Sequence, residues 1–352
     1  MTKEYLAIVE DIKMRIIDAQ QRAVQNANRE LVILYWNVGR IINARKTWGD
    51  GFIENLARDI RSSFPSLRGF SERNLRYMTK FASIYKESAI LQQVLQNLPW
   101  RHNIILMERL DDEKQCLWYA EQALENGWSS NILDMQIDRE LYARQVIADK
   151  TTNFATRLPA PQSDLAQQML KDPYIFDFVE YRKDMVERDI ENALVKSITQ
   201  FLLELGSGFS FVGQQYHLEV GGEDFYIDLL FYNLKLRCFV VMELKMREFI
   251  PEYAGKLNFY VSAIDGQLKQ PSDNPTIGIL LCKRKNKIIA EYALNNITSP
   301  ISVNEFKLFE TLPKEYEDIL PTAEDIESRL KLPVTPEEGS DTNHDLTTNT
   351  ND

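Results

Sequence analysis

The segment FYIDLLFYNLKLRCFVVMELK, residues 225–245, constrains the fold most, because it sets three ionisable side chains inside two apolar runs. Its alternation predicts strands over 225–232 and 236–244, joined as a β-hairpin through Asn233-Leu234-Lys235. Tyr226, Asp228 and Leu230 share one face of the first strand; Val241, Glu243 and Lys245 share one face of the second. With Tyr232 opposite Arg237, Asp228 falls opposite Val241 and diagonal to Glu243. Such diagonal neighbours lie ~7–8 Å apart. LLF, CFVVM and, further on, ILLC are the runs of strands covered on both faces, where an unpaired charge is costly. Two carboxylates there can converge on one hard cation, Mg²⁺ or Mn²⁺ in its place, which takes oxygen ligands and retains waters that can be activated. Lys245, on the same face as Glu243, can stabilise an attacking hydroxide and the charge that develops on a phosphoryl group.

The neighbouring segments extend this pattern. A helix predicted over 184–205 sets Glu187, Glu191, Leu194, Ile198, Phe201, Leu202 and Leu205 at helical spacing, and Gly206-Ser207-Gly208 ends it. Glu191 then lies at the edge of the apolar stripe facing the sheet, where its carboxylate can help hold a metal. A strand over 209–220 carries Gln214 and Gln215 at its middle, and Gln215 is a candidate contact to a nucleic acid. A helix over 251–265 starts at Pro251, a residue suited to a first turn. Strands over 277–282 and 288–294 complete an α-β-β-β-α-β-β order.

Asp228 followed by Glu243-Leu244-Lys245, in an αβββαβ order and after Glu191, resembles the core of the PD-(D/E)XK nucleases. FLLELGSGFSFVGQQYHLEVGGEDFYIDLLFYN and PEYAGKLNFYVSAIDGQLKQPSDNPTIGILLCK are similar to the bacterial YhcG-like nucleases. That similarity covers nearly the whole chain, including LPWRHN and GWS in the first half. It implies a restriction-endonuclease-like α/β domain with a mixed sheet, behind an α-helical N-terminal domain. It also implies that Asp228 and Glu243 ligate Mg²⁺, that Lys245 assists the water, and that Glu191 supports a metal. Ile227 stands where the motif's name has proline, a position with no chemical role. Lys256 and Tyr260 form a K-x-x-x-Y spacing that resembles the Q-x-x-x-Y of helicase-associated members and implies a nucleic-acid contact. The expected activity is Mg²⁺-dependent hydrolysis of DNA, in repair, restriction or defence. The alternatives are an RNase, or a non-catalytic DNA-binding or adaptor protein that keeps the fold.

Residues 1–150 read as helical throughout. Helices are expected from Tyr5 and again from Leu31, then over 54–63, 72–85, 87–97, 102–109, 112–126 and 130–146, with Gly49 and Gly51 as punctuation and Ser71 and Ser129 as N-caps. Residues 56–85 fit a helix-turn-helix with a long turn; its second helix bears Arg73, Asn74, Arg76, Tyr77 and Lys80, of which the Arg and Asn side chains could read bases, while Arg58, Arg61 and Arg68 contact phosphates. The competing reading is a helical bundle with a solvated basic face. Trp100-Arg101-His102-Asn103 reads as a packed polar-aromatic cluster, and His217 as an ordinary strand residue. Pro159 and Pro161 place a linker at 151–172, leaving 173–334 for the nuclease-like domain and 335–352 for a disordered acidic tail.

Net charge is −11, yet ten acids against two basic residues from Glu317 to Asp352 account for −8 of it, and residues 56–80 carry a local +4. Local sign governs phosphate binding, so the acidic total leaves a nucleic-acid partner open. DNA is the expected partner and RNA the alternative; a homodimer is compatible with the sequence, a membrane is not, since no apolar run reaches the ~20 residues a span needs. Cys116, Cys238 and Cys282 are too scattered for a zinc or disulfide framework, which fits a cytoplasmic setting.

Overall fold

The structure is a computed structural model that describes residues 3–44, 51–85, 94–182 and 184–309. The acidic tail at 335–352, Gly49 and the 87–93 part of the helix expected at 87–97 lie outside the described residues. No Gly or Pro interrupts residues 3–38, and a single helix, α1 (Lys3–Asn43), spans what the apolar spacing divides into two. It is followed by α2 (Phe52–Ser63), α3 (Glu72–Ile84), α4 (Val94–Asn97), α5 (Trp100–Arg109), α6 (Glu113–Glu125) and α7 (Ser130–Asp138). The hydroxyls of Ser71 and Ser129 accept from the backbone N–H of Asn74 and Ile132, capping α3 and α7. Gly39 is where α1 meets α3: a Cβ there would stand 1.9 Å from the Met78 carbonyl oxygen. The helix expected over 130–146 stops at Arg139 and Glu140, the latter at φ 49, and a π-helical turn, Ala143–Ile147, follows.

The second half is built on a mixed sheet. Its elements are β1 (Thr151–Thr152), α8 (Phe154–Arg157), α9 (Gln162–Met169), β2 (Tyr174–Ile175), α10 (Glu187–Lys196), α11 (Ile198–Leu205), β3 (Phe209–Val220), β4 (Glu223–Asn233), β5 (Cys238–Glu248), α12 (Pro251–Gln267), β6 (Ile277–Arg284), α13 (Lys287–Asn295) and β7 (Ile301–Lys307). Strand order is β1-β7-β6-β5-β4-β3, with β2 paired to β7. β3, β4 and β5 form an antiparallel meander, whereas β5, β6 and β7 run parallel. Both faces are covered. Leu229, Phe231, Val240, Met242 and Leu281 pack with Ile190, Leu194 and Phe201 of α10 and α11. Leu230, Val241 and Leu280 pack with Leu257, Val261 and Ile264 of α12 and with Leu294 of α13. Burial on each side explains why LLF and FVVM read as continuous apolar runs.

Four sequence expectations change in this half. Residues 288–294 are helical, not a strand: β6 and β7 are parallel, so the chain must cross over between them, and the Asn286 side chain caps α13 by accepting from the N–H groups of Ile288 and Ile289. The 151–172 stretch is no linker, because β1 pairs antiparallel with β7 and Asn153 bonds the Ile301 backbone. The helix expected over 184–205 begins at Glu187 and breaks at Ser197. The hairpin turn is longer than Asn233-Leu234-Lys235, since the Asn233 side chain accepts from the N–H groups of Lys235 and Leu236, and Tyr232 pairs with Phe239 instead of Arg237. That register moves by two residues, an even number, so every side chain stays on its expected face.

The two halves are fastened by buried ion pairs. Arg139 is paired with Asp177, and Arg144 donates to Glu204 Oε1 at 2.6 Å; all four side chains are buried. The described residues all belong to one compact unit, Met1–Pro313.

Candidate active site

Asp228 sits where β4 and β5 part. The ladder between them runs as far as Leu229 opposite Met242. Beyond it, two carboxylates take over from the missing ladder bonds: Asp228 Oδ2 accepts from the Leu244 N–H at 2.9 Å, and Glu243 Oε1 lies 3.5 Å from the Asp228 N–H. β5 stays paired to β6 at this point, through Glu243 opposite Leu280 and Lys245 opposite Cys282. The acids therefore stand at the middle of β4 and β5, where the opening between the two strands begins.

Lys245 Nζ occupies the middle of this opening. It lies 3.7 Å from Asp228 Oδ2, 3.5 Å from Glu243 Oε2 and 2.6 Å from the Leu244 carbonyl oxygen, and it donates to Glu187 Oε2 at 3.0 Å. A second ammonium, that of Lys256 on α12, donates to Glu243 Oε2 at 3.0 Å and lies over the Tyr260 ring. From the other side Gln215 Nε2 donates to Glu191 Oε2 at 2.6 Å and lies 3.5 Å from Asp228 Oδ1. Gln215 reaches them from a left-handed backbone, φ 46, which is uncommon for a residue with a Cβ and typical of constrained functional positions.

The electrostatics follow from burial. Glu243 is 1% exposed, and loss of solvent, reinforced by Asp228, pushes its carboxyl up to about 7 despite the two lysines. Burial and Asp228 also raise Glu191. For Lys245 and Lys256 burial opposes the charged form, but the surrounding acids outweigh it and hold both above the ordinary lysine value. The result is a buried cluster of acids balanced by the protein's own cations.

Asp228, Glu243, Lys245, Glu191, Gln215, Lys256 and Tyr260 thus come together. The basic residues expected of the helical half lie on α2, α3 and the turn between them. Arg58 pairs with Glu54 and Arg76 with Glu72 on their own helices; Arg73 donates to the Tyr77 hydroxyl; Arg61 and Arg68 are exposed. Two side chains expected to contact nucleic acid are engaged internally: Asn74 bonds Trp100 Nε1 and the Gly69 carbonyl, and Lys80 donates to the Met107 carbonyl. His102 bonds the Trp128 carbonyl, as a packed residue does, and His217 pairs with Asp224. Sequence reasoning passed over Glu187 and Tyr253, although Glu187 is four residues before Glu191 on the same helix face. Lys245 Nζ stands 5.7 Å from the Tyr253 ring centroid.

Among the described residues no three His, Cys, Asp or Glu side chains are gathered as a ready metal site. Glu191 is turned onto Gln215 and does not complete a triad with Asp228 and Glu243. The donor set is nonetheless suited to a hard cation: two carboxylates and the Leu244 carbonyl converge on one point, and a positive group already stands there.

Comparison with known proteins identifies the two halves. Residues 167–321 match the YhcG PDDEXK nuclease domain, and residues 11–144 match the DUF1016 N-terminal domain. The chain is a YhcG-like member of the PDDEXK nuclease family. It is 29% identical over 350 residues to the Escherichia coli (strain K12) protein named "Putative nuclease YhcG", spanning 89% of this chain and 92% of that one. Among solved structures it is similar to a repair endonuclease from Pyrococcus abyssi, at 16% identity, TM-score 0.25, over 38% of this chain and 50% of that one. It is also similar to EndoMS in a complex with double-stranded DNA, at 18% identity, TM-score 0.26, over 38% of this chain and 49% of that one. The chain spans about half the length of those two proteins. At such scores they add nothing to the fold, which rests on the strand order itself.

Proposed function

We propose that the opening between β4 and β5 hydrolyses phosphodiester bonds in DNA with the help of Mg²⁺. The observation that supports this most is the convergence of Asp228, Glu243 and the Leu244 carbonyl on a single point held by Lys245 Nζ. These oxygens would hold the metal, with Glu191 beside them. A bound divalent cation supplies charge against the scissile phosphate and makes nearby water more acidic. Lys245, whose ammonium stands between the two acids, would face the phosphate oxygens and stabilise the charge that builds there. Lys256 steadies the Glu243 carboxylate from α12, and Gln215 fixes the direction of Glu191 and Asp228.

The helical half positions the DNA, with Arg61, Arg68 and Arg73 touching phosphates, which orient a duplex without reading its sequence. No helix among the described residues is long and apolar enough to cross a membrane, and the three cysteines are buried and free, as suits a reducing cytoplasm.

The test is a panel of linear, nicked, branched and single-stranded DNA, with matching RNA, incubated with Mg²⁺, with Mn²⁺ or with EDTA. The expected result is metal-dependent cutting of at least one DNA substrate, abolished in Glu243→Ala and Lys245→Ala while DNA binding persists. Cutting of RNA alone, or equal behaviour of wild type and both variants on every substrate, rejects the proposal.

A further inference from the structure

A groove of about 710 Å³ opens beside Lys245, between the start of α10 and the ends of β5 and β6. Basic and aromatic side chains, Tyr181, Arg188, Arg247, Tyr253 and Lys283, line it together with apolar ones, and Lys245 is at its inner end. Glu187 is the one carboxylate in the lining, and it is engaged with Lys245 and the Met246 N–H. Lys283 lies over the Tyr181 ring at 5.1 Å and donates to its hydroxyl, so that ring is held in place by a cation.

Arg188 and Arg247 are both exposed, and neither guanidinium has an ion-pair or hydrogen-bond partner among the described residues. Arg58, Arg76 and Arg109, also on the surface, each have an acid beside them. Two unpaired guanidinium groups lining one groove, leading to a site that handles phosphate, point to an extended polyanion.

The rings narrow the ligand further. Inside a duplex the base faces are stacked on one another and closed to side chains, whereas an unpaired strand offers each base face to an aromatic ring. We propose that this groove seats an unpaired polynucleotide strand, its phosphates on Arg188 and Arg247 and its bases against Tyr181 and Tyr253, and leads that strand to Asp228 and Glu243. This rests on the nuclease reading of the adjoining centre and names its substrate class: a nucleic acid with a single-stranded segment at the cleavage point.

The test measures binding without catalysis. Fluorescence anisotropy in EDTA compares full-length wild type, the double variant Arg188→Ala/Arg247→Ala and Tyr181→Leu, on a labelled single strand of DNA, a single strand of RNA and a blunt DNA duplex of the same sequence. The expected result is tighter binding of a single strand than of the duplex. The arginine variant then loses about tenfold or more in affinity, and its salt dependence is shallower by about 1.4 in log–log slope, as expected for two lost phosphate contacts on a single strand. Tyr181→Leu loses about tenfold, the scale of one stacked base. Circular dichroism melts matching wild type confirm that the variants are folded. Equal affinity for strand and duplex, no binding at all, or folded variants that bind like wild type overturn the proposal. The two readings fail separately: groove-dependent strand binding with no cutting of any substrate sinks the nuclease reading alone, and cutting with groove variants that bind normally sinks the groove alone.

Discussion

Replacing Glu204 by Gln should be among the most damaging conservative changes in the molecule. Glu204 is fully buried and serves three partners: Arg144 Nη1 at 2.6 Å, the Ile175 N–H at 3.0 Å and, through its carbonyl, the Lys171 ammonium. Gln can keep the bond to Ile175 but removes the only negative charge paired with Arg144 among the described residues. Breaking a buried pair from one side costs ~3–5 kcal/mol, because the remaining charge is stranded in a medium of low polarity. Lys171 adds a pH signature. Burial pushes it down to about 8, with Glu204 pulling the other way, so the loss of Glu204 lowers it further. A lowered lysine means the folded state binds fewer protons than the unfolded one from about pH 8 to the ordinary lysine value, so this group's contribution to stability rises with pH there. Once Lys171 is neutral the missing charge costs it nothing, so the Glu204→Gln deficit should shrink as pH climbs towards about 8, and beyond that only the Arg144 part remains. Urea unfolding followed by tryptophan fluorescence at pH 7 and pH 9 reads both effects. A double change of Arg144 and Glu204 to Met should recover much of the loss, since apolar replacement of a whole pair is often neutral. A deficit under ~1 kcal/mol at pH 7, or one that grows with pH, refutes the reasoning.

Three further outcomes follow from the packing and the site. Gly39→Ala drives a Cβ into the Met78 carbonyl, and should lower stability by at least ~1–3 kcal/mol in thermal or urea unfolding; an unchanged midpoint would mean α1 and α3 do not cross there. Asn286→Ala removes the α13 cap and should cost about 1 kcal/mol, an effect absent if 287–295 were a strand. In EDTA, stability should decline as pH rises from the ordinary glutamate range towards about 7, because folded Glu243 retains its proton where the unfolded chain has released it. Lys256→Met, which removes an opposing cation, should carry that decline to higher pH, read as melting temperature against pH.

The faces of the central hairpin were legible because alternation of period two survives an even shift of register. The register itself was not: it depends on Asn233 folding over the turn and on Arg237 adopting φ 51, which no apolar pattern announces. Ile288 and Ile289 misled because they are exposed apolar residues on α13, and only the parallel arrangement of β6 and β7 demands a helix there. A two-residue strand such as β1 is too short to leave a periodic trace. The buried charges Arg144, Glu204 and Lys171 look like surface residues in sequence, since burial of a charge depends on partners distant along the chain. For the candidate site, the acids and Lys245 stood out against apolar runs, whereas Glu187 and Tyr253 lie in ordinary amphipathic helices. Gln215 stands between, singled out by its place on β3 but aimed by its backbone.

The most direct measurement is a calorimetric titration of Mn²⁺ into the full-length protein near pH 8, compared with Asp228→Asn and Glu243→Gln. One saturable site per chain in the wild type, absent from both variants, is the result expected if these oxygens form the cation site. Binding that survives either substitution, or a wild type that takes up no metal, would contradict it.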